Sequence, residues 1–183
     1  MKKIILAVFA ASSLLLYSTP SFALLNFSVG VPLSHTITGK MKGGEKIETD
    51  GVSGAFIQIG VPILPGIGID SYKTKIKANA GNDNIAHDLS TTIYNLYYLL
   101  PIPIINLTLG VGVGSTTLEC SICAAAFDKG TANQWYASFG MPIIPLFDLH
   151  LSYRSVSSKI KIKSGPEHDL SGNVMGLGIG FNF

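Results

Sequence analysis

From Leu25 to the C-terminus the chain repeats with a period of two. In "LLNFSVGVPL" the residues Leu25, Phe27, Val29, Val31 and Leu33 share one face, with Asn26, Ser28 and Gly30 on the other. "NLTLGVGVG" sets Leu107, Leu109, Val111 and Val113 against Asn106, Thr108, Gly110 and Gly112. "VMGLGIGFNF" sets Met175, Leu177, Ile179, Phe181 and Phe183 against Gly176, Gly178, Gly180 and Asn182. Alternation sustained this far is the signature of strands, because successive side chains of a strand point to opposite faces. No stretch keeps a 3.6-residue period. The alternation predicts eight strands, at roughly 25–40, 52–62, 66–78, 89–101, 105–119, 134–142, 148–163 and 172–183.

The first residues follow another logic. Met1-Lys2-Lys3 is a basic start, Ile4 to Leu16 is an apolar run, and "STPSFA" offers Ser21 and Ala23 as small residues before a cleavage point. This predicts a signal peptide over 1–23, leaving 24–183 as one domain. Without Lys2 and Lys3 the 13 basic residues fall to the number of the 11 acidic ones, so the remainder is neutral. That balance argues against a nucleic-acid partner. Only 13% of the residues are charged, against about 25% in soluble domains. No segment beyond the N-terminus has the ~18 consecutive apolar residues of a membrane helix.

The connections sort into two kinds. Three are short and proline-rich, in "VPILPGIGID", "LLPIPIINL" and "MPIIPLFDL". Four are longer and polar, at 43–51, 80–88, 121–134 and 164–172. Long and short alternate, as in membrane barrels with short turns on one side and longer loops on the other. The non-apolar face decides between a sandwich and such a barrel. It is rich in glycine, and glycine on a solvated strand face costs conformational entropy with no packing in return. In the narrow interior of an eight-stranded barrel, small residues must instead sit beside large ones, for which Phe56, Tyr97 and Tyr136 are candidates. The expected fold is all-β: an eight-stranded antiparallel up-and-down transmembrane β-barrel.

Signal peptide, eight alternating strands, alternating loop lengths and a last strand "GLGIGFNF" ending in Phe resemble the small outer-membrane β-barrel proteins of Gram-negative bacteria. The resemblance implies an integral, multi-pass protein of the bacterial outer membrane, probed by surrounding lipid and lipopolysaccharide. It also implies that Phe181 and Phe183 form an assembly signal for the barrel assembly machinery, and that the protein is a monomer. It transfers no activity, because this barrel hosts structural proteins, adhesins, narrow pores and lipid-modifying enzymes alike.

Few residues suggest chemistry. His150 and Ser152, two apart on one strand, face the same way, so a histidine could activate a serine nucleophile. They share the phase of Arg154, however, which points them inward and away from lipid. Asp70 and Arg154 lie inward on strands three and seven, opposite walls of the barrel, and could meet across the lumen as a plug or as a selectivity constriction; buried charge has to be paired. Cys120 and Cys123, "CSIC", are candidates for a disulfide in an exported protein, one that closes too short a loop to add much stability. Lys73, Lys75 and Lys77, and Lys159, Lys161 and Lys163, continue the outward phase of strands three and seven beyond the apolar run. They are a solvated strand extension or contacts for lipopolysaccharide phosphates. The histidines His35, His87, His150 and His168 are scattered, and no cofactor or metal is expected. The function expected is therefore structural or surface interaction through four outer loops, and not catalysis. A narrow pore for small solutes, or a lipid-active hydrolase using His150 and Ser152, are the alternatives.

Overall fold

The computed structural model describes residues 25–39, 47–61, 64–80, 83–102, 105–120, 127–144, 146–163, 165 and 167–182. Segment 1–23, expected as a signal peptide, lies outside these. The strands are β1 (Asn26–Ile37), β2 (Glu48–Gly60), β3 (Gly66–Ala80), β4 (Asp83–Ile102), β5 (Ile105–Glu119), β6 (Gly130–Ile144), β7 (Phe147–Lys161), β8 (Glu167–Asp169) and β9 (Gly172–Asn182). Each neighbour pair from β1 to β7 is antiparallel, β9 pairs with β7, and β9 with β1 closes the ring. The result is a closed eight-stranded up-and-down barrel. The short β8 is an addition to the eight expected strands; it lies within the 164–172 connection and pairs with β7 at Lys159–Lys161.

Several strands reach further than the apolar alternation. β2 begins at Glu48, β4 at Asp83 and β6 at Gly130, all within segments expected as loops. Outward residues described there, such as Glu48, Asp88, Thr131 and Asn133, are polar, so the period of two persists while its apolar member changes side. On β5 the outward residues run Leu109, Val111, Val113 and then Ser115, Thr117, Glu119; on β3 they run Ile67, Ile69 and then Ser71, Lys73, Lys75. The same change follows Leu33 on β1, Ile57 on β2, Tyr94 on β4, Trp135 on β6, Tyr153 on β7 and Met175 on β9.

The inward face changes in the opposite sense. On the short-turn side it carries Gln58, Asp70, Asn95, Thr108, Gln134, Ser138, His150, Ser152 and Arg154, all buried. Toward the long loops come Phe56, Tyr72, Ile93, Ala132, Val156 and Val174, then Ile37, Ile47, Ile76, Leu89, Ile160 and Leu170 with Leu118 and Phe127 packed on them. One end of the barrel is apolar outside and polar inside; the other is polar outside and apolar inside.

Two local devices allow this. A bulge at Leu33 sets Pro32 opposite Gly176 but Ser34 opposite Met175. The extra residue reverses the phase of β1, so His35 and Ile37 turn inward, where unbroken alternation would send them out. Glycines make room for rings in the narrow lumen: a Cβ on Gly110 would come within 2.2 Å of the Tyr136 ring, and one on Gly66 within 2.3 Å of Tyr97.

Candidate functional site

The centre of the lumen is built on β3 and β7. Arg154 Nε donates to Asp70 Oδ2 at 2.9 Å, with both side chains almost wholly buried. Gln134 Nε2 donates to the same oxygen at 2.5 Å and to Asn95 Oδ1 at 2.6 Å. The guanidinium carbon lies 3.6 Å from the Phe56 ring centroid and 4.9 Å from that of Tyr136. Tyr136 in turn accepts from Gln58 Nε2 at 2.7 Å. The cation thus has a carboxylate at its edge and two aromatic rings within cation–π range, partners that make a buried charge tolerable. Below this cluster a cavity of about 20 Å³ remains, bordered by Ser28, Gln58, His150 and Arg154. That is room for about one water molecule.

His150 and Ser152 each meet other partners. The Ser152 hydroxyl donates to the Gly176 carbonyl at 3.2 Å and accepts from Arg154 Nη1. The His150 Nδ1 lies 3.4 Å from Ser138 Oγ instead, and its Nε2 lies 4.0 Å from Asp148 Oδ2. A serine whose proton is committed to a carbonyl and whose lone pair faces a guanidinium is not poised as a nucleophile.

A second polar group, near the short turns, is not apparent from the sequence. Asp148 Oδ2 accepts from Asn106 Nδ2 and, at 2.5 Å, from Asn182 Nδ2; Asn182 Oδ1 accepts from Asn26 Nδ2 at 2.6 Å. These residues come from β5, β7, β9 and β1 and cross the closing seam. Their one sequence signal is a polar residue in the inward phase beside a turn, repeated on four strands.

At the other end the lysines point outward. Lys73 Nζ meets Glu119 at 2.6 Å, Lys77 meets Asp50 at 3.0 Å and Lys159 meets Glu167 at 3.2 Å. The hydrogen bond to Glu119 holds the Lys73 ammonium above its ordinary pKa, and the same bond holds the Glu119 carboxyl below its own. Lys75 on β3 and Lys161 on β7 are also exposed, on opposite sides of the barrel, and Lys163 follows β7. Cys120, directly after β5, is disulfide-bonded; Cys123 lies outside the described residues. Phe181 sits between Phe147 and Phe27, with ring centroids 5.0 and 6.2 Å away, on the seam where β9 joins β7 and β1; Phe183 lies outside the described residues. Among the described residues no three His, Cys, Asp or Glu side chains gather as metal ligands.

No family model matches the sequence, and no curated protein does. Solved structures do match in shape. OprG of Pseudomonas aeruginosa superposes with a TM-score of 0.52 at 14% identity, covering 87% of this chain and 95% of that one. Neisserial surface protein A gives 0.53 at 12% identity, covering 87% and 96%. Outer membrane protein W of E. coli gives 0.50 at 10% identity, covering 85% and 97%. The chain has the fold of the small outer-membrane β-barrels. In that fold the exposed apolar belt faces lipid, and here the belt includes Val31, Ile67, Leu96, Val111, Leu151 and Ile179. Above the belt the outer wall of this chain is polar. Tyr94, Trp135 and Tyr153 sit at the border, where aromatic girdles lie.

Proposed function

We propose that this chain is an integral bacterial outer-membrane protein with a closed lumen, whose work is structural or surface interaction through its outer loops and rim. The observation that carries this reading is the exchange of apolar and polar faces at one level on all eight barrel strands, above a lumen filled by the Asp70–Arg154 cluster and two apolar layers. A solute would have to displace a buried ion pair and then an apolar core. The Ser152 hydrogen bonds weigh equally against a hydrolase. Lys75 and Lys161, which have no ion pair among the described residues, are better placed to meet lipopolysaccharide phosphates than Lys73, Lys77 and Lys159, which carboxylates hold. Phe181, at the closing seam, suits an assembly signal shared with Phe183, and a ring closed within one chain suits a monomer.

Three measurements test this. Cell fractionation with heat-modifiable gel mobility places the folded protein in the outer membrane; recovery in a soluble fraction overturns the reading. Planar bilayers show no conductance above the lipid baseline; stepwise channels establish the pore. Lipid A mass spectra are unchanged by deleting the gene; a lost or added acyl chain establishes the enzyme.

A further inference from the structure

The outer wall carries a site that the lysines do not explain. Where β6, β7 and β9 rise past the aromatic border, a groove of about 330 Å³ opens on the outside of the barrel. Its floor is set by register. Asn133 stands opposite Ser157, Trp135 opposite Ser155, and Ser155 opposite Asn173. Trp135 is 55% exposed and lies 5.9 Å from the Tyr153 ring. No charged side chain lines the groove, and the nearby Lys159 is held by Glu167.

We infer that this groove binds a neutral saccharide ring of the outer-leaflet glycolipid. The inference rests on the outer-membrane reading above. Chemistry picks the ligand class. A pyranose has an apolar C–H face and a rim of hydroxyls that each donate and accept. Trp135 supplies a flat apolar surface with its own N–H donor. The amides of Asn133 and Asn173 supply donors and acceptors together, and the hydroxyls of Ser155 and Ser157 do the same. A phosphate would call for cations, which this groove lacks. Position picks the source. The groove continues upward from the lipid-facing belt at Tyr153 and Met175, so its occupant is an amphiphile whose acyl chains lie along the belt and whose sugars begin at the border.

Trp135 is the only tryptophan of the chain, so its emission reports on the groove directly. The test is a fluorescence titration of the folded full barrel in a polyoxyethylene detergent, whose head carries neither sugar nor phosphate. The probes are deacylated, dephosphorylated lipopolysaccharide oligosaccharide and, separately, inorganic phosphate. A saturable change with oligosaccharide and none with phosphate is expected. Asn133→Ala combined with Asn173→Ala should weaken binding roughly tenfold, the worth of two neutral hydrogen bonds. Ser157→Ala serves as a milder second variant should the double one misfold, with a loss of about threefold. No saturable change in the wild type overturns the inference, as does an unchanged affinity in the folded variants. An equal response to phosphate overturns it in favour of the lysine rim. Fractionation reads localisation separately, so a failed titration leaves the outer-membrane reading standing.

Discussion

The two ends of this barrel are made by the same strands under opposite solvent rules. On the short-turn side the outward residues of β5 are Leu109, Val111 and Val113, and their inward neighbours are Thr108, Gly110 and Gly112. Toward the loops the outward residues are Ser115 and Thr117, and the inward Leu118 packs on the interior cluster of Ile76, Leu89 and Ile160. The loop end is therefore an ordinary barrel with an apolar core, held by the removal of side chains from water. The turn end uses that force in its lumen only through rings such as Tyr97 and Tyr136, because its aliphatic residues face outward. It is held by closed backbone pairing and by the Asp70–Arg154 polar cluster, in which Asp70 Oδ1, Asn95 Nδ2 and Gln134 Oε1 have no hydrogen-bond partner among the described residues. Strand periodicity is thus common to both ends, and the medium outside determines which phase carries the apolar residues.

The largest test of this contrast lies in the polar end. Arg154→Ala removes the partner of a buried carboxylate and the cation beside the Phe56 and Tyr136 rings. A loss of about 3–5 kcal/mol is expected, read as a lower urea midpoint in lipid vesicles. Asp70→Asn in the same chain should recover part of it, because the amide can stay with Gln134 without a charge to compensate. If Arg154→Ala unfolds at the wild-type midpoint, the cluster does not hold the turn end together.

The outward face gives the next effect. Leu109→Arg places a cation in the apolar belt and should cost about 2–4 kcal/mol. Ser115→Arg, in the same phase of the same strand but past the border, should stay within about 0.5 kcal/mol. Equal costs for the two, by urea unfolding in vesicles, would mean that the border is misplaced.

The sequence reveals the belt and conceals the inversion for the same reason. Alternation is visible only where its apolar member is continuous, as from Leu107 to Val113 or from Met175 to Phe181. Past the border the strands continue as Ser, Thr and Lys in one phase with isolated apolar residues in the other, which resembles loop composition. Hence β2 and β4 start earlier than the pattern implies, and Asp50 and Glu119 emerge as partners of lysines only once register is known. The bulge at Leu33 has no composition signal, and it alone turns His35 toward Thr74, 2.8 Å from Nδ1. By contrast, the meeting of Asp70 and Arg154 is implied by phase and strand number together. Its companions Asn95 and Gln134 share that phase but lie on β4 and β6, and only the geometry of the closed ring gathers them.

A smaller effect belongs to the apolar end. Ile160→Val removes one methylene from a fully buried position in the cluster near the loops. A cost of about 0.5–1.5 kcal/mol is expected. It should appear equally in detergent and in vesicles, because this core lies outside the hydrocarbon. A loss confined to vesicles would show that the loop end depends on lipid after all.

The smallest effect is at the rim. Lys73 and Glu119 form a short ion pair, but both are exposed, and exposed pairs are screened and entropically costly to hold. Their titration still has a defined sign. The Glu119 carboxyl is depressed on folding, so its contribution is present above the ordinary carboxylate pKa and is lost as pH falls through the depressed folded value. The Lys73 ammonium is raised, so its contribution is complete below the ordinary lysine pKa and is lost as pH rises through the raised folded value. Between those limits, at neutral pH, the pair contributes its full amount, and that amount is small. Glu119→Gln should leave the urea midpoint at neutral pH within error and slightly flatten its acid and alkaline limbs. Added salt should erase even that difference, since screening acts on exposed pairs first. A clear loss at neutral pH that persists in high salt would mean that the outer wall is held by its ion pairs, and the apolar cluster behind Ile160 would lose its place as the main support of the loop end.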